Sequence, residues 1–307
     1  MLLVASIRKF GGSLKKVPIY SYQPRKGLGV SERTKKFFIK NDVTLISEIL
    51  NIDHHDYPLA NKIYASSHAE RNIESEILVF LDSDIFFLDE PSEFLIPAGY
   101  DAVLRPVDSK NVGAENEEDP NWEYWRELYG ITGVRDRSYI NTSVDRKSIL
   151  PYWNGGHMVV RKEKGVFQQW EENFHKVMRL GLRPGDGLFY VEQSVFAATV
   201  SALECRIKTF SPYYNYPIHL QQRIPDPDEK ANSVHEIVSA HYHKIFRDGF
   251  ARDILGPMID IGHPKDRWLV KNLHKFGLID KNEIQMSRRK LVKLPGYLKN
   301  ILKTSRK

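Results

Sequence analysis

Apolar residues at positions 3, 4, 7 and 10 give the first stretch of the chain helical spacing, and Gly11-Gly12 ends it. The period then changes. Residues 17–22 predict a strand, 24–29 a loop, and 31–39 a helix capped by Ser31 with Arg and Lys in its turns. Residues 43–49 predict another strand and 58–72 a helix. Next come Ile77-Leu78-Val79-Phe80-Leu81, five consecutive apolar residues, which suit a strand buried on both faces in a helix-covered parallel sheet. Strand and helix thus alternate, the mark of a parallel sheet with crossover helices. Further strands are predicted over 101–105, over 152–160 after a turn, and over 237–243, with helices over 166–180 and 190–203. Between them, residues 108–138 turn polar, acidic and aromatic (Trp122, Tyr124, Trp125, Tyr129), a long insertion suited to lining a pocket, although aromatics are equally good core.

The chemistry gathers at the ends of these elements. Asp82 and Asp84 leave the apolar strand one residue apart, where an unpaired carboxylate is expensive to bury, so a positive partner is expected. Carboxylates at that end of a strand face the ligand crevice of an open α/β sheet and offer hard oxygens to Mg²⁺ or Mn²⁺. Adjacent Gly155 and Gly156, after Asn154, permit close approach of a ligand or another backbone. Glu192-Gln193 sit in a first helical turn, and Asn61-Lys62 on an earlier helix. His241 and His243 close the last strand, and alternation there sends them to opposite faces. Plainer readings stand beside each: Asp-x-Asp in a solvated turn, a solvated lysine, a glutamate favoured by the helix dipole, a hydrogen-bonded histidine.

The chain has 307 residues, 41% of them apolar, enough for a large core. There is no run of about 18 apolar residues and no signal-peptide pattern, which suggests a cytoplasmic location. The single cysteine, Cys205, allows no internal disulfide and suits core filling. Net charge is +6, but residues 286–307 hold eight Lys/Arg and no acid, which leaves the rest of the chain at −2. Nucleic-acid binding by the body is therefore not expected. In the tail, Leu291, Leu294, Leu298, Ile301 and Leu302 recur at helical spacing among the basic residues, interrupted by Pro295-Gly296, as in a helix that makes peripheral contact with an anionic membrane.

Ser6-Ile7-Arg8-Lys9-Phe10-Gly11-Gly12, Ala60-Asn61-Lys62-Ile63-Tyr64, Phe80-Leu81-Asp82-Ser83-Asp84, Asn154-Gly155-Gly156, Glu192-Gln193 and His241-Tyr242-His243-Lys244 occur in one order along residues 1–250. That ordered set resembles GT-A nucleotide-sugar glycosyltransferases, and most closely the retaining branch with glycogenin and the lipopolysaccharide galactosyl- and glucosyltransferases. The resemblance implies an α/β, Rossmann-like, mostly parallel sheet with helices on both faces. It implies a transferase domain over 1–262, with an acceptor-side insertion at about 108–150, and leaves 263–307 as a basic helical tail. A doubly wound domain of this kind begins with a strand. Here a helix stands first, so the first strand is expected to be missing and nucleotide affinity to be weak.

The same resemblance implies metal-dependent transfer of a sugar from a nucleotide diphosphate donor, a UDP-sugar, to a glycan or other hydroxyl acceptor, with retention. Asp82, Asp84 and His241 would be the ligands of Mn²⁺ or Mg²⁺, with imidazole favouring manganese. Asn61, Lys62, Asp82 and Lys244 would meet the nucleotide, and Asn154, Gly155 and Gly156 the sugar. Glu192 and Gln193 would sit beneath the anomeric carbon. The family commonly has Asp-Gln where this chain has Glu192-Gln193, so the donor sugar stays open. Two other readings remain: a phosphatase of the haloacid dehalogenase type, which also places Asp-x-Asp after a buried strand, and a catalytically idle sugar- or nucleotide-binding domain.

Overall fold

The computed structural model describes residues 1–280 except 28, 244 and 247–249. Lys244 and the basic segment 286–307 therefore lie outside the described residues.

Helix α1 (Leu2–Phe10) opens the chain. Its Ser6 Oγ accepts the Phe87 N–H, and its Arg8 guanidinium donates to the carbonyls of Asn41, Asp42, Lys15 and Val17. One side chain thus fixes the helix against the next two elements. These are strand β1 (Ile19–Tyr22) and helix α2 (Glu32–Lys40), where the Ser31 hydroxyl accepts the Thr34 N–H as predicted for a cap. Strand β2 (Val43–Ile46) pairs with β1 in parallel, and helix α3 (Ala60–Asn72) follows.

Strands β3 (Ile77–Leu81) and β4 (Ile85–Phe87) flank the Asp-x-Asp. After β5 (Ala102–Leu104) come helix α4 (Trp122–Thr132), the short hairpin β6 (Ile140–Asn141) and β7 (Ser148–Ile149), and strand β8 (His157–Arg161). Helices α5 (Val166–Arg179) and α6 (Val191–Ala202), strand β9 (Ile207–Thr209), strand β10 (Ser239–His241), and helices α7 (Phe250–Ile254) and α8 (Pro264–Phe276) complete the described chain.

The main sheet has the order β3-β8-β5-β9. Strand β8 is antiparallel to both neighbours and β5 is parallel to β9, so three of the four strands run one way and β8 alone runs against them. Among the described residues, β3 is paired on one edge only, by β8, and β1 on one edge only, by β2. Edge position corrects one expectation. Val79 in β3 is 38% exposed, and the strand buried on both faces is instead β4, where Ile85, Phe86 and Phe87 have no exposure.

Alternation along β4 explains why. Ile85 and Phe87 join Val103, Val159 and Phe210 beneath one face of the main sheet. Phe86 turns the other way, into a second core with Tyr216, Ala240 and, from α8, Leu269 and Leu273. A third core, with Trp125, Trp170, Phe174 and Phe196, fills the space between α3, α4, α5, α6 and the opposite sheet face. The aromatics of the long insertion belong there: Trp125 has no exposure and donates its indole N–H to the Val112 carbonyl at 2.7 Å. Helix α8 is joined to α1 by an edge-on contact of the Phe10 and Trp268 rings. No helix among the described residues is long and apolar enough to cross a membrane.

Candidate active site

The site forms where β3 and β10 end and β8 begins, against the start of α6. The Asp82 N–H donates to the Gly156 carbonyl at 2.8 Å, extending the β3–β8 ladder past the strand and fixing the first carboxylate beside the glycine pair. Antiparallel pairing of β10 with β4 sets His241 opposite Ile85. That register carries its imidazole to Asp84, with Nε2 2.9 Å from Oδ1.

Two charged groups result. In the first, burial disfavours the Asp84 carboxylate, but the hydrogen bond and positive charge of His241 outweigh it and hold its pKa below the usual range. In the second, Lys62 Nζ lies 3.4 Å from Asp82 Oδ2, 3.3 Å from Glu192 Oε1 and 3.3 Å from the Gly155 carbonyl. Burial opposes the Lys62 ammonium, yet Asp82 and Glu192 outweigh that and raise its pKa. For Glu192 burial dominates; with Asp82 adding to it against the attraction of Lys62, the carboxyl is pushed from its ordinary 4.5 up to about 7. Lys62 thus bridges the two carboxyl groups, and burial is what raises the pKa of Glu192.

The glycines are where these groups meet. A Cβ on Gly156 would stand 2.6 Å from Asp82 Oδ2 and 2.9 Å from His241 Cε1. On Gly155 it would meet Glu192 Oε2 and Gln193 Cγ, each at 3.3 Å. Asn154 Oδ1 accepts the Gly156 N–H at 2.9 Å and holds the turn. The structure therefore brings Lys62, Asp82, Asp84, Asn154, Gly155, Gly156, Glu192, Gln193 and His241 to one place. Asn61 points elsewhere, accepting from the Asn51 amide at 2.9 Å.

His243 joins the group against expectation. Strand β10 stops at His241, and His243 adopts φ +44°, so period-two alternation no longer applies. Its ring stacks on that of His241 with centroids 3.7 Å apart. Asp84, His241 and His243 each offer one ligand atom, all within 4.8 Å of one another. A carboxylate with two imidazoles fits a first-row transition ion better than Mg²⁺. Asp82 faces Lys62 instead, so the Asp-x-Asp is divided between the two groups.

Sequence reasoning also missed the supports of Glu192. The Glu192 N–H donates to the Tyr57 hydroxyl at 3.1 Å, and its carbonyl accepts the Trp170 indole N–H at 2.9 Å. Neither residue carries a local signal, because both reach the helix start from other elements.

No curated protein matches the chain. Among solved structures, it is similar to the galactosyltransferase LgtC in complex with donor and acceptor sugar analogues, at 15% identity over 79% of this chain and 81% of that one, with a TM-score of 0.45. It is similar to the bifunctional glycosyltransferase WbbM at 14% identity over 88% of this chain and 48% of that one, with a TM-score of 0.48. The glycosyltransferase GlyE of Streptococcus pneumoniae is 13% identical over 95% of this chain and 62% of that one, with a TM-score of 0.42. The family model for the Rhodobacterales glycosyltransferase domain matches residues 1–203, a span that holds the Asp-x-Asp, the glycine pair and Glu192-Gln193, and the chain belongs to that glycosyltransferase family.

Proposed function

We propose that this glycosyltransferase moves a hexosyl group from a UDP-sugar to a hydroxyl of a glycan or other acceptor, with a divalent cation and with retention of configuration. The observation that carries this reading is the convergence of two charged groups on Gly155-Gly156. One is anionic and metal-ligating (Asp84 with His241 and His243), the other a buried lysine between two carboxylates. A cation held by Asp84 and His241, with Asp82 within reach across Gly156, would supply Lewis-acid stabilisation of the diphosphate as it leaves.

The chain's own residues do the remainder. Lys62 provides a fixed point charge toward phosphate. The two glycines leave the backbone open to close approach by the sugar, and a Cβ on Gly156 would press on Asp82 and His241. Glu192, largely protonated below neutrality and with Oε2 buried and unpartnered, has a hydrogen bond to give to a sugar hydroxyl. Gln193 lies beside it, beneath the same glycine, to meet the opposite side of the ring. The departing phosphate oxygen then takes the acceptor proton on one face of the sugar, so no separate protein base is required. Lys244, outside the described residues, belongs to the same proposal as a second cation for the diphosphate, and the location is taken as cytoplasmic.

The experiment is turnover of a panel of UDP-sugars with Mn²⁺ and with Mg²⁺, with and without glycan acceptors. Metal-dependent release of UDP coupled to transfer supports the reading. Release of phosphate from phosphomonoesters would replace it with a phosphatase, and nucleotide binding without turnover would leave a binding domain.

A further inference from the structure

A second cluster of metal-ligating side chains lies away from this site, between the 3-10 turn Val234–Glu236 and the start of α8. His235 Nδ1 is 3.1 Å and His263 Nδ1 3.7 Å from the same oxygen, Asp266 Oδ1. The two imidazoles stack with centroids 3.8 Å apart, and one ligand atom from each of the three residues falls within 4.8 Å of the others. Asp266 has no exposure, while the histidines are partly open to solvent. We propose that His235, His263 and Asp266 form a structural site for a divalent first-row metal ion, zinc in the first instance.

The hydrogen bonding leaves one atom unexplained. Asp266 Oδ2 accepts the Asp260 N–H at 2.7 Å, and Ser233 Oγ, 3.2 Å from it, also has the Met258 carbonyl at 2.9 Å for its one proton. His235 Nδ1 has Ser233 Oγ at 2.8 Å as well as Asp266 Oδ1. His263 Nδ1 is buried and has no hydrogen-bond partner, since 3.7 Å to Oδ1 is too long for one. In the neutral tautomer protonated on Nε2, that nitrogen turns its lone pair toward a carboxylate oxygen, an arrangement that repels unless a cation stands between them. A tetrahedral zinc ion with bonds of about 2.0–2.1 Å spaces its ligand atoms about 3.3 Å apart. The two nitrogen-to-oxygen distances, 3.1 and 3.7 Å, bracket that value.

The competing arrangement is an imidazolium paired with Asp266, favoured because Asp266 lies in the first turn of α8, where an anion suits the helix dipole. Metal binding requires both Nδ1 atoms to be deprotonated, so the two states exclude each other. Two imidazoles and a carboxylate are ligands that zinc accepts, with water completing four. The ion would fasten α8 to the segment that leads into β10 and His241. The site is independent of the proposed reaction.

The test uses the full chain carrying Asp84→Asn and His241→Ala, so that the other cluster does not report. After dialysis against zinc with a weak chelator, this protein should retain about one zinc per chain, and zinc should raise its Tm. Adding His263→Ala or His235→Ala should abolish both effects. X-ray absorption of the zinc-loaded chain carrying only Asp84→Asn and His241→Ala provides a reading that does not depend on how the histidine variants fold, and imidazole scattering in the first shell is expected. Failure to retain zinc, retention unchanged in both histidine variants, or a first shell without imidazole would each overturn the proposal.

Discussion

His241 Nε2 and Asp84 Oδ1 stand 2.9 Å apart across 157 positions of sequence, held by the register that pairs His241 with Ile85. A cation that takes both as ligands displaces the proton of that hydrogen bond, so metal binding should release a proton and tighten as the pH rises. Calorimetric titration of Mn²⁺ at pH 6 and pH 8 should give tighter binding at pH 8 together with proton release. Equal affinity at both would place the metal elsewhere.

Gly156→Ala is the most direct steric probe. The new Cβ would press on Asp82 Oδ2 at 2.6 Å and His241 Cε1 at 2.9 Å, displacing both groups. Misplacement of reacting groups by about 1 Å costs on the order of a hundredfold in rate. Transfer should fall by about that factor, with Gly155→Ala milder because its contacts are at 3.3 Å. Steady-state assays of both variants check the order, and equal activity to the parent in Gly156→Ala would contradict the close approach.

Glu192 gives the site a pH signature in metal-free protein. Its pKa is raised from 4.5 to about 7, so the folded state keeps a proton that the unfolded chain has released. Its contribution to stability is most favourable below 4.5 and is lost as the pH rises from there through about 7. Glu192→Gln keeps the shape and removes the titration. Relative to the parent, the variant should therefore gain thermal stability between pH 5 and pH 8. A difference in Tm that stays constant with pH would mean that the carboxyl is ionised throughout.

The insertion aromatics make a prediction about stability. Trp125 has no exposure, so Trp125→Ala should cost about 3–5 kcal/mol in denaturant unfolding. Trp125→Phe leaves the Val112 carbonyl without its donor and should cost about 1–3 kcal/mol. Unchanged stability with a raised acceptor KM would make this ring an acceptor platform and not core.

Much of this was legible in the sequence, and the misses have identifiable causes. Helices over 2–10, 31–39 and 166–180 appear within a residue or two, because their apolar period and the Ser31 cap are local signals. The ordered motifs named residues that the fold brings together, since Asp82, Gly156, Glu192 and His241 do converge. The run before Asp82 misled: apolar length signals a strand but not its place in a sheet, and β3 proved an edge while β4 carried the burial. His243 was sent to the wrong face because alternation assumes a strand that has already ended. The division of Asp82 to Lys62 and Asp84 to His241 depends on packing between distant elements, which no local pattern encodes.

The account rests on the metal site proposed at Asp84 and His241, and titration of Mn²⁺ in the presence of UDP tests it most directly. In the parent chain one Mn²⁺ site is expected whose affinity is coupled to that of UDP. Asp84→Asn and His241→Ala should each abolish that coupling and lower transfer by about a hundredfold or more, with circular dichroism unchanged. Metal affinity and UDP coupling that survive intact in both folded variants would contradict the account.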